Sequence, residues 1–123
     1  MRHQILEYFN PIDFNCGCGC GRGLDYMATA ILNRLYKARV LADVPFIINS
    51  AFRCKLHNST IRRASPNSSH CLGFAVDIKA GDSAVRYRLI KGAILAGFER
   101  IGVYDWGVHV DVDSSKREGL WIG

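Results

Sequence analysis

The run Ser68-Ser69-His70-Cys71-Leu72-Gly73-Phe74-Ala75-Val76-Asp77-Ile78-Lys79 decides how the chain folds. Its second half alternates. Phe74, Val76 and Ile78 fall on one side of an extended chain, Ala75 and Asp77 on the other. This predicts a strand over 74–79. Gly73 lets the backbone turn between the polar run and the strand. An ionised aspartate in an otherwise apolar strand is expensive to bury alone, so Asp77 calls for a cation or a metal beside it.

Reading outward, Pro45 to Ser50 forms a second β-rich run. Residues 51–70 are polar and aperiodic and read as one long loop, of the kind that usually carries function. Upstream, Leu24, Met27, Ile31 and Leu35 recur at spacings of three and four and predict a helix over 24–42. Asp43 and Pro45 stop it. Residues 1–22 read as an irregular arm ending in a glycine-rich turn. Downstream, Asp82 or Ser83 caps a helix over about 84–96, which Gly97 ends. Strands over 100–104 and 108–112, joined by Asp105-Trp106-Gly107, form a hairpin. The tail from Ser114 to Gly123 is polar. Helix, strand, loop, strand, helix and hairpin make an α+β class with a small antiparallel sheet.

Composition agrees with this reading. A chain of 123 residues, 49% hydrophobic and 22% charged, suits one globular domain over 1–123. It is neither disordered nor collagen-like. It has no apolar run long enough to span a membrane, so no membrane insertion is expected. The N-terminal segment lacks the pattern of a secretory signal peptide. The net charge of +5 favours an anionic partner. The basic residues are scattered, and neither a stacking-aromatic motif nor a recognition helix accompanies them, so no nucleic-acid partner is expected.

Five cysteines are present: Cys16, Cys18, Cys20, Cys54 and Cys71. No CxxC pair occurs, which argues against a zinc ribbon. They read as small buried or half-buried thiols, with a disulfide bridge or an accessory metal site as the alternatives.

Three side chains point to chemistry. His70 ends the loop, Asp77 lies on the strand after it, and His109 lies on the last strand of the hairpin. Zinc in hydrolases takes three nitrogen or oxygen ligands and keeps a fourth position open. Two histidines and one aspartate meet that count. Taken alone, His109 between two valines also fits a satisfied core histidine.

Several motifs now combine. They are Ser50-Ala51-Phe52-Arg53, His57-Asn58, Ser68-x-His70-x-x-Gly73-x-Ala75-x-Asp77, Gly97-Phe98, Ile101-Gly102 and His109-Val110-Asp111. With the Phe14-x-Cys16-x-Cys18-Gly19-Cys20 segment, they resemble the zinc D-alanyl-D-alanine carboxypeptidase family over nearly the whole chain. That family also holds phage endolysins that cut L-alanyl-D-glutamate bonds, and D,D-dipeptidases of vancomycin resistance. Its small α+β fold is shared with the hedgehog signalling domain.

The resemblance implies a zinc metallopeptidase that hydrolyses peptidoglycan stem peptides, as a carboxypeptidase or an endolysin. A metal-activated water would attack the peptide carbonyl. His70, Asp77 and His109 would bind zinc. Arg53 would bind a substrate carboxylate or the developing oxyanion, and Ser68 would orient the loop or touch substrate. His57 and Asn58 would fix the loop by hydrogen bonds. Several branches carry a Glu or Asp three residues before the last ligand as general base, where this chain has Trp106. Asp105 is the nearest replacement, with Asp111 as the alternative base or a partner of a ligand histidine. The resemblance leaves a second reading, a non-catalytic zinc-containing binding module of the same fold. A monomer is expected, made in the cytoplasm and acting on the cell wall, with phage or host origin open.

Overall fold

The computed structural model describes residues 2–123, with side chains from Gln4 onward. One five-stranded sheet organises it. The strands are β1 (Ile47–Ser50), β2 (Ala75–Lys79), β3 (Arg100–Tyr104), β4 (Gly107–Asp111) and β5 (Gly119–Ile122). Their order across the sheet is β1-β2-β4-β3-β5. Neighbours are antiparallel except β3 and β5, which run parallel. The helices are α1 (Arg2–Ile5), α2 (Thr29–Ala42), α3 (Lys55–Thr60) and α4 (Ser83–Leu95). No helix among the described residues is long and apolar enough to cross a membrane.

Period-two alternation splits the sheet into two chemically different faces. Val76, Ile78, Ile101, Val108 and Val110 are buried in the apolar core. The same core takes in Ile31, Leu32, Leu35 and Ala38 of α2, and Leu89 and Ala93 of α4. The opposite face carries polar groups in register. Asp77 pairs with His109, His109 with Gly102, and Gly102 with Trp121. Two residues along, on the same face, Ala75 pairs with Asp111 and Asp111 with Arg100.

Gly102 has no freedom to be anything larger. A Cβ there would lie 2.6 Å from the Trp121 indole, which lies over the strand at that point. The indole is held by a hydrogen bond from its Nε1 to Tyr104 Oη (2.8 Å), and the Arg100 guanidinium sits 4.8 Å from its ring centre.

The α+β class with its small, mostly antiparallel sheet is as expected, and several boundaries are corrected. The first long helix begins at Thr29. Leu24–Tyr26 form a separate 3-10 turn, and Met27 is extended between the two. The apolar spacing over 24–35 therefore reflects burial on one side of two elements. The stretch 51–70 is not all loop, because α3 forms within it, with Cys54 Sγ accepting the His57 N–H at its start. Asp82 caps α4 through the N–H groups of Ala84 and Val85, as expected. The tail contains β5, an edge strand with Leu120 and Ile122 exposed. Its pairing is parallel and non-local, so no local alternation announces it. The N-terminal arm holds α1 and a 3-10 turn over Pro11–Phe14.

The Gly102–Trp121 contact gives a direct test. Gly102→Ala should destabilise the chain by about 1–3 kcal/mol through overpacking. In a Trp121→Ala background the same change should cost little, and denaturant melts of the four variants measure the coupling.

Candidate metal centre

Three elements deliver the central groups. His70 sits in a 3-10 turn over Ser69–Leu72, whose preceding residue Ser68 accepts the His70 N–H through Oγ (3.3 Å). Asp77 is on β2 and His109 directly opposite on β4. His70 Nε2 lies 3.2 Å from Asp77 Oδ2, and His109 Nδ1 lies 2.7 Å from Asp77 Oδ1. One ligand atom from each of the three residues falls within 4.8 Å of the others, the spacing a single metal ion requires.

The far nitrogens of both histidines are also engaged. His70 Nδ1 lies 2.8 Å from the Ala51 carbonyl oxygen. A carbonyl only accepts, so Nδ1 carries a proton and Nε2 is the ring atom turned to the centre. His109 Nε2 lies 2.7 Å from Asp111 Oδ2, which leaves Nδ1 as its inward-facing atom. Such outer hydrogen bonds fix tautomer and ring orientation in metal-binding histidines. The donor set, two imidazoles and a carboxylate, suits zinc.

The electrostatics follow from this packing. Burial works to raise the Asp77 carboxyl, but hydrogen bonds from His109 and His70 and their charge outweigh it and hold it well below the usual carboxylate range. Burial works to lower His109, yet Asp111 and Asp77 on either side push it up to about 9. Asp111 is almost fully enclosed, which opposes its charge. His109, the Asp113 N–H and Arg100 nevertheless hold it below the ordinary value. Its Oδ1 accepts from Arg100 Nε (2.8 Å) and from the Asp113 N–H (3.0 Å). Both Asp111 oxygens are thereby committed.

An open cleft of about 620 Å³ lies over the centre. Its lining includes Arg53, Arg62, Arg63, Arg100 and Lys116, with Tyr104 and Trp106 also contributing. Arg53 Nη2 donates to Ser68 Oγ (3.0 Å), while Arg53 Nε is buried without a hydrogen-bond partner among the described residues. The floor is braced by Asp113, which accepts from Ser69 Oγ (2.7 Å) next to His70 and lies 3.5 Å from Lys116 Nζ.

Of the residues singled out from sequence, His70, Asp77, His109, Arg53, Ser68 and Asp111 all line this cleft. Asp105 does not line it. It is exposed in the two-residue turn between β3 and β4, beside Trp106. Asn58 fixes the 51–70 segment by donating from Nδ2 to the Ser65 carbonyl (2.9 Å). The His57 ring lies over Gly17. Sequence reasoning missed Arg100, Tyr104 and Trp121. Arg100 and Tyr104 were legible as the alternate positions flanking Gly102, on the His109 side of the strand. Trp121 carried no signal beyond being a tryptophan in a polar tail.

The family described as Peptidase M15 matches residues 7–113 of the chain. No curated protein gave a match.

The raised His109 value has a consequence for the metal-free chain. Its folded value of about 9 lies above the ordinary 6.5. The resulting stabilisation is fully present below pH 6.5 and is lost as pH rises through 9. Denaturant melts of chelator-treated protein across this range should show that loss. The difference between the wild-type and His109→Asn curves isolates it from thiol titration.

Proposed function

The chain belongs to the Peptidase M15 family, and from that premise we propose that it is a zinc-dependent peptidase acting on peptidoglycan stem peptides. One observation carries this reading. The inward-facing atoms of His70, Asp77 and His109 converge on one point beneath an open cleft, with the outer nitrogen of each histidine already tied. Zinc bound there supplies Lewis acidity toward a scissile carbonyl and lowers the pKa of a water.

The chain's own residues do the rest. Asp77 neutralises charge at the centre. Asp111 keeps the His109 Nε2 proton in place, so Nδ1 stays directed inward; it is a positioning residue, because neither of its oxygens is free to take a proton. Arg53, held by Ser68, is placed to receive a substrate carboxylate or the developing oxyanion. Arg62, Arg63, Arg100 and Lys116 give the cleft a cationic lining that suits an anionic stem peptide. Asp105 is assigned as the proton acceptor. It is the carboxylate of the turn whose Trp106 borders the cleft, and the turn must swing inward for it to act. Chelation should abolish hydrolysis of purified peptidoglycan, and added zinc should restore it.

A second reading, a zinc-containing binding module, is favoured by one observation. The two side-chain carboxylates that line the cleft among the described residues, Asp77 and Asp111, are both engaged with histidines. Zinc-loaded protein that binds peptidoglycan without releasing new amino termini supports this module over the peptidase.

Two variants separate the roles. Asp111→Asn should weaken zinc binding by about 10–100-fold, with activity recovered at raised zinc concentration. Asp105→Asn should lower kcat by about 10²–10⁴-fold with zinc content unchanged. Full turnover in that variant would remove Asp105 from the mechanism.

A further inference from the structure

The cysteine string at the N-terminal arm has no part in the centre described above. Cys16, Cys18 and Cys20 lie on a tight loop that the Cys16 N–H closes by donating to the Arg22 carbonyl (2.8 Å). Gly19 and Gly21 sit at φ 81° and 84°, left-handed values that let the chain fold back twice within six residues. Cys54 comes from the start of α3, far along the sequence. The four Sγ atoms all lie within 4.8 Å of one another. Cys16 and Cys18 are 3.4 Å apart, and Cys18 and Cys54 are 3.7 Å apart. Four sulfurs around one zinc at the usual Zn–S length of about 2.3 Å stand roughly 3.8 Å apart. A disulfide would need about 2 Å. The spacing fits a shared ion and is too long for a bridge.

The surroundings also fit thiolates. Two of the four sulfurs accept a main-chain N–H. Cys54 N donates to Cys16 Sγ (3.4 Å) and His57 N to Cys54 Sγ (3.3 Å). Hydrogen bonding among the neighbouring sulfurs pushes Cys18 up to about 12, while the Arg22 N–H pulls Cys20 down to about 6. The Arg22 guanidinium also hydrogen-bonds Cys20 and offsets negative charge there. Such hydrogen bonds stabilise the charge on metal-bound sulfur. The expectation of small buried or half-buried thiols fits Cys16, Cys54 and Cys71 and is corrected for Cys18 and Cys20, which are exposed. Cys71 stands outside the group.

We infer that Cys16, Cys18, Cys20 and Cys54 form a second, structural zinc site that ties the N-terminal arm to the segment carrying Arg53. Four protein sulfurs close the coordination sphere and leave no open position, which separates this site from the one at His70. The inference stands apart from the proposed peptidase activity, and its readouts do not use that activity.

The full chain, purified in the presence of zinc, should hold two zinc ions. Cys18→Ser with Cys20→Ser, both at exposed positions outside the core, should hold one. Cobalt-substituted wild-type chain should show an intense thiolate-to-cobalt charge-transfer band. That band should persist in Cys71→Ser and disappear in the double variant. In zinc-loaded protein, Cys71 alone should react with a thiol reagent, and chelation should release the other four and lower the thermal midpoint. Zinc content unchanged in the double variant, absence of the charge-transfer band, or disulfides among the four cysteines in the freshly purified chain would each overturn the assignment.

Discussion

An ionised carboxylate held between two histidines sets the terms for the rest of this molecule. Asp77 lies on a strand whose other face is core, and it is buried enough that its charge must be met. His109 meets it from the paired strand and His70 from the loop before β2. That requirement pins the β2–β4 register. A slip by one residue would turn Asp77 into the apolar core and Val76 out over the cleft. Once His109 is fixed, the row continues across the sheet. Gly102 must be small because Trp121 covers it, and Trp121 packs against His109 at 5.7 Å between ring centres. The neighbouring row places Asp111 beside Arg100, so the carboxylate that orients His109 is itself balanced by a cation.

Alternation made β2 and β4 legible, and with them Asp77 and His109. The joint occurrence of these residues with His70 was enough to anticipate the centre. What escaped reading depends on contacts that no local pattern encodes. β5 is four residues long and pairs in parallel with a strand far from it in sequence, so Trp121 was invisible as part of the site. The choice between Asp105 and Asp111 was also beyond the sequence. Both lie an even number of residues from His109, and period two puts both on its face. The hairpin turn interrupts the period at Asp105 and Trp106, whereas Asp111 continues the strand and keeps the phase. The cysteines illustrate the same limit. A CxCxC string without a CxxC pair has no familiar ligand spacing, and its fourth sulfur arrives only when α3 folds against the arm.

The excess positive charge also takes on a location. Among the described residues, five cations line the cleft against two carboxylates, and both carboxylates are already engaged by histidines. The net field over the cleft is therefore positive, which draws an anionic polymer in and weakens as salt rises. Arg53 differs from the other four in being held by Ser68 and in standing on the segment that also supports His70.

That segment, residues 51–54, explains why the two metal-ligand clusters belong to one structure. Its backbone groups face alternately in two directions. The Ala51 carbonyl accepts from His70 Nδ1, and the Arg53 N–H donates to the His70 carbonyl (3.3 Å). Between and beyond them, the Phe52 N–H donates to the Phe14 carbonyl (3.3 Å), and the Cys54 N–H donates to Cys16 Sγ. One edge of the segment thus sets the tautomer and position of a histidine at the centre, and the other is sewn to the N-terminal arm. A short extended stretch with so few residues has little stability of its own. Its geometry has to be imposed from both sides, by the packed sheet through His70 and by the arm through Phe14 and Cys16. Tightening the arm with a four-sulfur clamp therefore acts on the same peptide groups that aim His70 and carry Arg53, which gives the cysteine string a physical reason to sit where it does.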